Sequence, residues 1–344
     1  MSSRLNSQVL STPSRHYPLL TVLVWGLAFL PGIVPAHHGV ASLGAVGLEG
    51  PGAPLETTVS TNLPQGSWLL YQKFDYANFK TYTPERDDEK DYNLFSITGL
   101  GYGITPWFTA YAFLPYTVKA AEDDDYSQSG LGDISLTGTL GFKYDDGFRL
   151  TPKSESLDDW YDWHFSFFFG LTLPTGNPDL RGGPAAEIDP GMSLGFGQPS
   201  YLLGLGATRL ITDRDTLNLD VSWIGFQENE YDDGNRFRFG DEWRVNLAWV
   251  RKLATDLERK TRWDAALEAN FLHLDRDRSF GQGEWATGGD MLYLLPGVRY
   301  YVDNLSFALG IKVPVWTSLN EADDQQGAEG KENFRLILTL SALF

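Results

Sequence analysis

Cysteine is absent from the 344 residues. Disulfides, thiolate nucleophiles and Cys-ligated metals are therefore excluded. Histidine is scarce, with five residues, and no His-Glu-x-x-His run occurs. No zincin-type zinc site is written here. Beyond residue 36 no apolar run nears the ~20 residues that a spanning helix needs. Mean hydropathy is −0.25. Basic side chains are also few: 27 Lys and Arg stand against 45 Asp and Glu, a net charge of −18. Nucleic acid, which needs a basic surface, is not an expected partner.

What is present lies first at the two ends. Residues 1–36 carry Arg4 and Arg15, no acidic residue, and an apolar run of 12 residues from Leu19 to Leu30. Val34-Pro35-Ala36 follows, with small residues where a cleavage site needs them. That order is a secretory signal peptide, and the run is too short for an anchor. Cleavage would start the mature chain at His37, and losing two arginines makes it more acidic still. At the other end Phe334, Leu336, Leu338, Leu340, Ala342 and Phe344 alternate with Asn333, Arg335, Ile337, Thr339, Ser341 and Leu343. A period of two places each set on one face of a strand. Phe334, Leu336, Leu338, Leu340 and Phe344 resemble the C-terminal insertion signal of bacterial outer-membrane barrels.

Between the ends, segments of about ten residues alternate apolar and polar. They fall at 67–77, 92–104, 107–119, 131–144, 160–173, 200–211, 215–227, 240–252, 262–274, 290–302, 304–316 and 332–344. The pattern predicts an all-β fold, a transmembrane antiparallel up-and-down β-barrel of about 12 strands. Short linkers follow the second, sixth and tenth segments, and longer polar ones follow the odd segments, as short inner turns and long outer loops require. The linkers at about 145–159 and 253–261 exceed a minimal turn, which leaves ten- and fourteen-strand counts open. The domain reading is then a signal peptide over 1–36, a Gly/Ala/Pro-rich N-terminal arm or plug over 37–65, and the barrel over 66–344.

Charge at a lipid-facing midplane costs roughly 2–4 kcal/mol, so the polar face of each strand should point inward. The expected lumen lining is Lys73, Asp75, Asp133, Lys143, His164, Asp220, Arg244, Glu268, Arg299, Lys312 and Arg335. Aromatics near strand ends, such as Trp68, Trp243, Trp263 and Tyr300, suit interfacial girdles. A soluble sandwich or lipocalin-like barrel would share the alternation with its apolar faces inward. The signal peptide, the strand count, the girdles and the terminal Phe together favour the membrane barrel.

Several runs resemble one bacterial group. Gly101-Tyr102-Gly103-Ile104-Thr105-Pro106-Trp107-Phe108 with Leu114-Pro115-Tyr116 is similar to its second hairpin. Ser129-Gly130-Leu131-Gly132-Asp133-Ile134 and Gly170-Leu171-Thr172-Leu173-Pro174-Thr175-Gly176 resemble further strand ends. Tyr293-Leu294-Leu295-Pro296-Gly297 and Phe307-Ala308-Leu309-Gly310 resemble its last hairpin. Together these resemble the MetA-pathway phenol-degradation family of outer-membrane transporters. The resemblance implies an outer-membrane location and a transport role, and carries over no substrate residue.

The expected function is a channel or transporter for a small hydrophobic or aromatic molecule in the outer membrane of a Gram-negative bacterium. The alternative is a non-transporting barrel with a structural or metal-capturing role. No catalytic constellation is expected, and no organic cofactor. The metal candidates are His37 and His38, which with a free amine at residue 37 form a chelating set for Cu(II) or Ni(II). The acidic runs Asp87-Asp88-Glu89 and Asp123-Asp124-Asp125 are candidates for Ca²⁺, although such runs are usually solvated surface. The expected partners are outer-membrane lipid, the barrel assembly machinery and a small-molecule solute.

Overall fold

The computed structural model describes residue 48 and residues 50–79, 90–122, 126–156, 158–183, 185–325 and 329–344. Twelve long strands carry the architecture: β1 (Trp68–Phe79), β2 (Lys90–Thr105), β3 (Phe108–Ala121), β4 (Ser135–Tyr144), β5 (Trp163–Thr172), β6 (Ser200–Leu210), β7 (Asp215–Gly225), β8 (Glu242–Asp256), β9 (Thr261–Leu274), β10 (Gly289–Val302), β11 (Leu305–Leu319) and β12 (Glu332–Leu343). Each pairs antiparallel with the next, and β12 pairs with β1 from Leu69↔Leu343 to Phe79↔Glu332. The wall is therefore a closed twelve-stranded antiparallel barrel. Closure leaves no free sheet edge, the condition for strands in hydrocarbon. Beyond the last strand, Trp68 and Phe344 exchange backbone hydrogen bonds of 2.8 and 2.9 Å.

The C-terminal end and the short turns lie at one end of the barrel, the turn end. The other end carries the long loops. One of the two long-linker expectations changes. β8 runs to Asp256 because a bulge between Lys252 and Ala254 absorbs an extra residue and lets the ladder with β9 continue. Only residues 257–260 then join β8 to β9. The linker between β4 and β5 does stay long, with a short strand at Phe148–Leu150 and a 3-10 turn at Asp158–Tyr161. The wall is also uneven: β4 has 10 residues and β8 has 15.

Strand alternation sorts the faces. Val245, Leu247, Leu267, Val298, Leu309 and Leu338 are exposed on the outer surface, while Glu268, Arg299, Asp220 and Thr339 are enclosed. An outer face of leucine and valine and an enclosed face of charge invert the usual soluble pattern. Lipid on the outside reconciles both. Trp68 packs at a tilt against Tyr102 and Trp263 against Tyr300, both with centroids 4.5 Å apart, at the turn end where an aromatic girdle belongs. Leu309→Arg places a charge on the outer face some four residues into β11. It is expected to destabilise the barrel by about 2–4 kcal/mol in a denaturant titration in lipid vesicles. A value near zero would contradict a lipid-facing position.

Candidate functional site

Residues 50–65 run inside the barrel. Their sequence, Gly50 to Gln65, is rich in Gly and Pro and lacks strand alternation, so it forms no ladder with the wall. Enclosed backbone polar groups still need partners. Lumen side chains supply them one by one. Gly52 N donates to Thr216 Oγ1 at 2.7 Å, Thr58 N to Asp220 Oδ2 at 2.7 Å, Ser60 N to Thr208 Oγ1 at 2.8 Å and Leu63 N to Thr109 Oγ1 at 3.0 Å. Three consecutive amides converge on Glu268: Leu55 N at 2.5 Å, Glu56 N at 3.1 Å and Thr57 N at 2.7 Å, joined by the Thr57 hydroxyl at 2.7 Å. The carbonyls are held by arginine. Arg299 donates to Ala53 O at 3.1 Å and Pro54 O at 2.8 Å, and Arg262 donates to Gly50 O at 2.8 Å.

The single charged side chain of this segment is Glu56. Its carboxylate accepts from Lys73 on β1 and from Lys312 on β11, the latter at 2.5 Å. Burial alone would raise the Glu56 carboxyl, but the ammonium groups of Lys312 and Lys73 hold it well below the usual carboxylate range. Close approach is made possible by glycine. A Cβ at Gly103 would lie 2.1 Å from Pro64 O, and one at Gly141 would lie 1.9 Å from Asn62 Oδ1. At the end of the segment Gly66 N donates to Gly103 O, and the chain turns into β1.

The expected lumen residues divide into three groups. Lys73, Asp220, Glu268, Arg299 and Lys312 face the segment directly. Asp75, Arg244 and Arg335 are enclosed but engage the wall: Arg335 with Glu332 and Glu329, Arg244 with Glu242, and Asp75 with Lys73 at 3.4 Å. Lys143 and His164 lie at the turn end beneath residues 145–162, where Lys143 meets Asp159 and Asp162, and His164 meets Glu155 at 2.7 Å under a stacked Trp160. The Lys143 ammonium and the Ser156 amide and hydroxyl hold the Asp159 carboxyl well below its usual range.

Asp133 belongs to none of these and corrects the expectation. It lies before β4 begins and binds a loop, accepting from Gly176 N at 2.8 Å and Phe196 N at 2.9 Å. The strand pattern at 131–144 began four residues too early because Gly132 breaks the ladder between a short strand at Gln128–Leu131 and β4. That anchored loop, 173–199, meets the loop after β7. Phe196 packs against Phe226 and Phe239 with centroids 4.9 and 5.2 Å apart, and Phe237 against Phe239 at 5.1 Å. In the next loop, burial pushes the Asp277 carboxyl up to about 6, although Gly240 N donates to it.

His37, His38, Asp87-Asp88-Glu89 and Asp123-Asp124-Asp125 lie outside the described residues. Among the described residues, no group of three or more His, Asp or Glu is arranged to hold a metal ion. Phe334, Leu336, Leu338, Leu340 and Phe344 lie along the outer face of β12 and its end. Sequence reasoning missed Glu56 and Arg262. Glu56 is the only charge in 50–65, and Arg262 shares a strand face with Asp264, its partner at 2.6 Å. It also passed over Gly191-Met192-Ser193-Leu194-Gly195, which has the spacing of a nucleophile elbow. Ser193 sits in a loop and donates to Pro178 O and Asp189 O, so the strand-to-helix turn of that motif is missing.

Comparison with known proteins gives four findings. A family model described as "Putative MetA-pathway of phenol degradation" matches residues 77–319. The COG4313 outer membrane channel from Pseudomonas putida F1 superposes with a TM-score of 0.60 at 14% identity, over 83% of this chain and 98% of that one. A looser likeness joins it to the NanC porin, with a TM-score of 0.40 at 7% identity over 80% and 98% of the two chains. Among curated proteins none matches significantly. The likeness to the COG4313 channel is one of fold, a closed antiparallel barrel.

Proposed function

The chain belongs to the family described as putative MetA-pathway of phenol degradation, and from that premise we propose that it is a channel for a small hydrophobic or aromatic molecule, closed by its own residues 50–65. The C-terminus and the short turns then lie on the periplasmic side of a Gram-negative outer membrane and the long loops outside. One observation carries the reading: the lumen is filled by a separate segment, not by the strands' own side chains. A barrel built only as a structural wall can close its interior with large side chains, as eight-stranded barrels do. Here the wall facing the segment presents Thr109, Thr208, Thr216, Asp220 and Glu268, each accepting a hydrogen bond from its backbone.

The family's name and the Phe196, Phe226, Phe237 and Phe239 cluster at the outer end support an apolar or aromatic cargo. There Phe237 and Phe239 are only partly buried and leave ring surface for an entering ring to pack against. The segment then works as a gate, and conduction needs it to move. No residue in the lumen is asked to make or break a covalent bond, so the reading is a conduit and not an enzyme. Solute flux into proteoliposomes, with a variant in which the segment is released, tests this. Flux that rises on release is the expected result. A released barrel that passes neither ions nor phenolic solutes would leave a structural or metal-capturing role in its place.

A further inference from the structure

Leu55 and Glu56 occupy a pocket that the lumen wall builds around them. Leu55 packs among Val250, Ala266, Leu295, Ala308 and Ile337. Two glycines make its room: a Cβ at Gly297 would lie 2.8 Å from Leu55 Cδ1, and one at Gly310 would lie 2.7 Å from Cδ2. Beside this apolar hollow the Glu56 carboxylate sits between Lys73 and Lys312. Lys312 also lies 4.7 Å over the ring of Tyr293. The hollow and the two-lysine clamp are adjacent because the residues that fill them are consecutive.

A buried ammonium group is costly without an anion. Lys73 keeps Asp75 at 3.4 Å when Glu56 departs. Lys312 has no other carboxylate within ion-pair distance among the described residues. Outward movement of the segment therefore strands a buried cation unless another anion arrives. The incoming group has to match what leaves: an apolar body for the Leu55 hollow, joined to a carboxylate for the clamp.

We propose that Leu55 and Glu56 are a built-in stand-in for the transported solute, and that this solute is a small monocarboxylate with an apolar body. The proposal rests on the channel reading above and narrows its substrate class. It also makes opening solute-dependent. The solute carboxylate replaces Glu56 between the lysines, the clamp stays paired throughout, and the segment is freed to move. A neutral ring of the same size fills the hollow but leaves Lys312 without its counter-charge.

Benzoate and its neutral counterpart benzyl alcohol distinguish these cases. Titration calorimetry on the refolded mature chain is expected to show benzoate binding at least about tenfold tighter in Glu56→Gln than in the wild type, because the internal competitor has lost its charge. The gain should vanish in Glu56→Gln/Lys312→Met, and benzyl alcohol should respond to neither change. Equal benzoate affinity in all three proteins overturns the proposal. Should Glu56→Gln not fold, the wild type answers alone. Its planar-bilayer current must rise with benzoate and not with benzyl alcohol; an equal response, or none, overturns the proposal. A Glu268→Ala barrel, released by other means, separates the two readings. If it conducts in KCl while nothing depends on the carboxylate, only this inference fails; if it stays silent and a barrel lacking residues 50–65 is silent too, the channel reading fails with it.

Discussion

Glu268→Ala is expected to turn a silent barrel into a conducting one. The carboxylate of Glu268 receives three consecutive amides and one hydroxyl from residues 55–57, all inside the wall. Alanine removes every one of these acceptors. An unsatisfied buried donor costs about 1–3 kcal/mol, and even the lower figure over four donors shifts the balance between bound and released segment by roughly three orders of magnitude. No nearby strand edge can replace the lost oxygens, because the ladder of β9 is already paired on both sides with β8 and β10. Glu268→Gln keeps one acceptor oxygen and offers an amide that clashes with the remaining donors, so its effect should be intermediate. Single-channel current in planar bilayers reads both. A Glu268→Ala barrel as quiet as the wild type would show that residues 50–65 are held by something other than this carboxylate.

The second large effect is expected at the opposite kind of position. Deleting Phe344 should sharply lower the amount of barrel in the outer membrane, while changing the stability of refolded protein little. The two quantities separate because they have different causes. In the folded barrel Phe344 contributes two backbone hydrogen bonds to Trp68 and an exposed ring. Two such bonds are worth about 2 kcal/mol together, too little to undo a closed twelve-stranded wall. Its larger proposed role is as the end of the signal formed with Phe334, Leu336, Leu338 and Leu340, read by the assembly machinery before closure. Membrane fractionation beside a denaturant titration checks both halves. Undiminished membrane levels would remove the recognition role, and a collapse in both would make Phe344 a structural clasp instead.

Much of the wall was legible from a period of two. Lys73, Asp220, Glu268, Arg299 and Lys312 alternate with apolar neighbours, and a lipid exterior leaves only one side for them. The linkers were less legible. The end of β8 hid behind a bulge at Lys252, since a bulge breaks the alternation without ending the ladder. Asp133 carried the right charge at the right phase, yet Gly132 placed it outside β4. The partners of the lumen charges were hidden for a different reason. Residues 50–65 have no periodicity, and their course is set by single hydrogen bonds to Thr216, Asp220, Thr208 and Thr109 from three different strands. Such contacts leave no local trace. The one available signal was Glu56, a lone carboxylate in a stretch otherwise free of charge, beside a lumen with surplus lysine.

The central claim is that residues 50–65 are the movable closure of a channel. The cysteine-free chain allows this to be tested with one introduced pair. Ser60 Oγ and Ser166 Oγ lie 3.1 Å apart, one on the segment and one on β5. In a Glu268→Ala background, Ser60→Cys/Ser166→Cys should conduct under reducing conditions and fall silent when the disulfide ties the segment to the wall. Currents that are the same in the oxidised and reduced states, with the disulfide verified by mass, would contradict it.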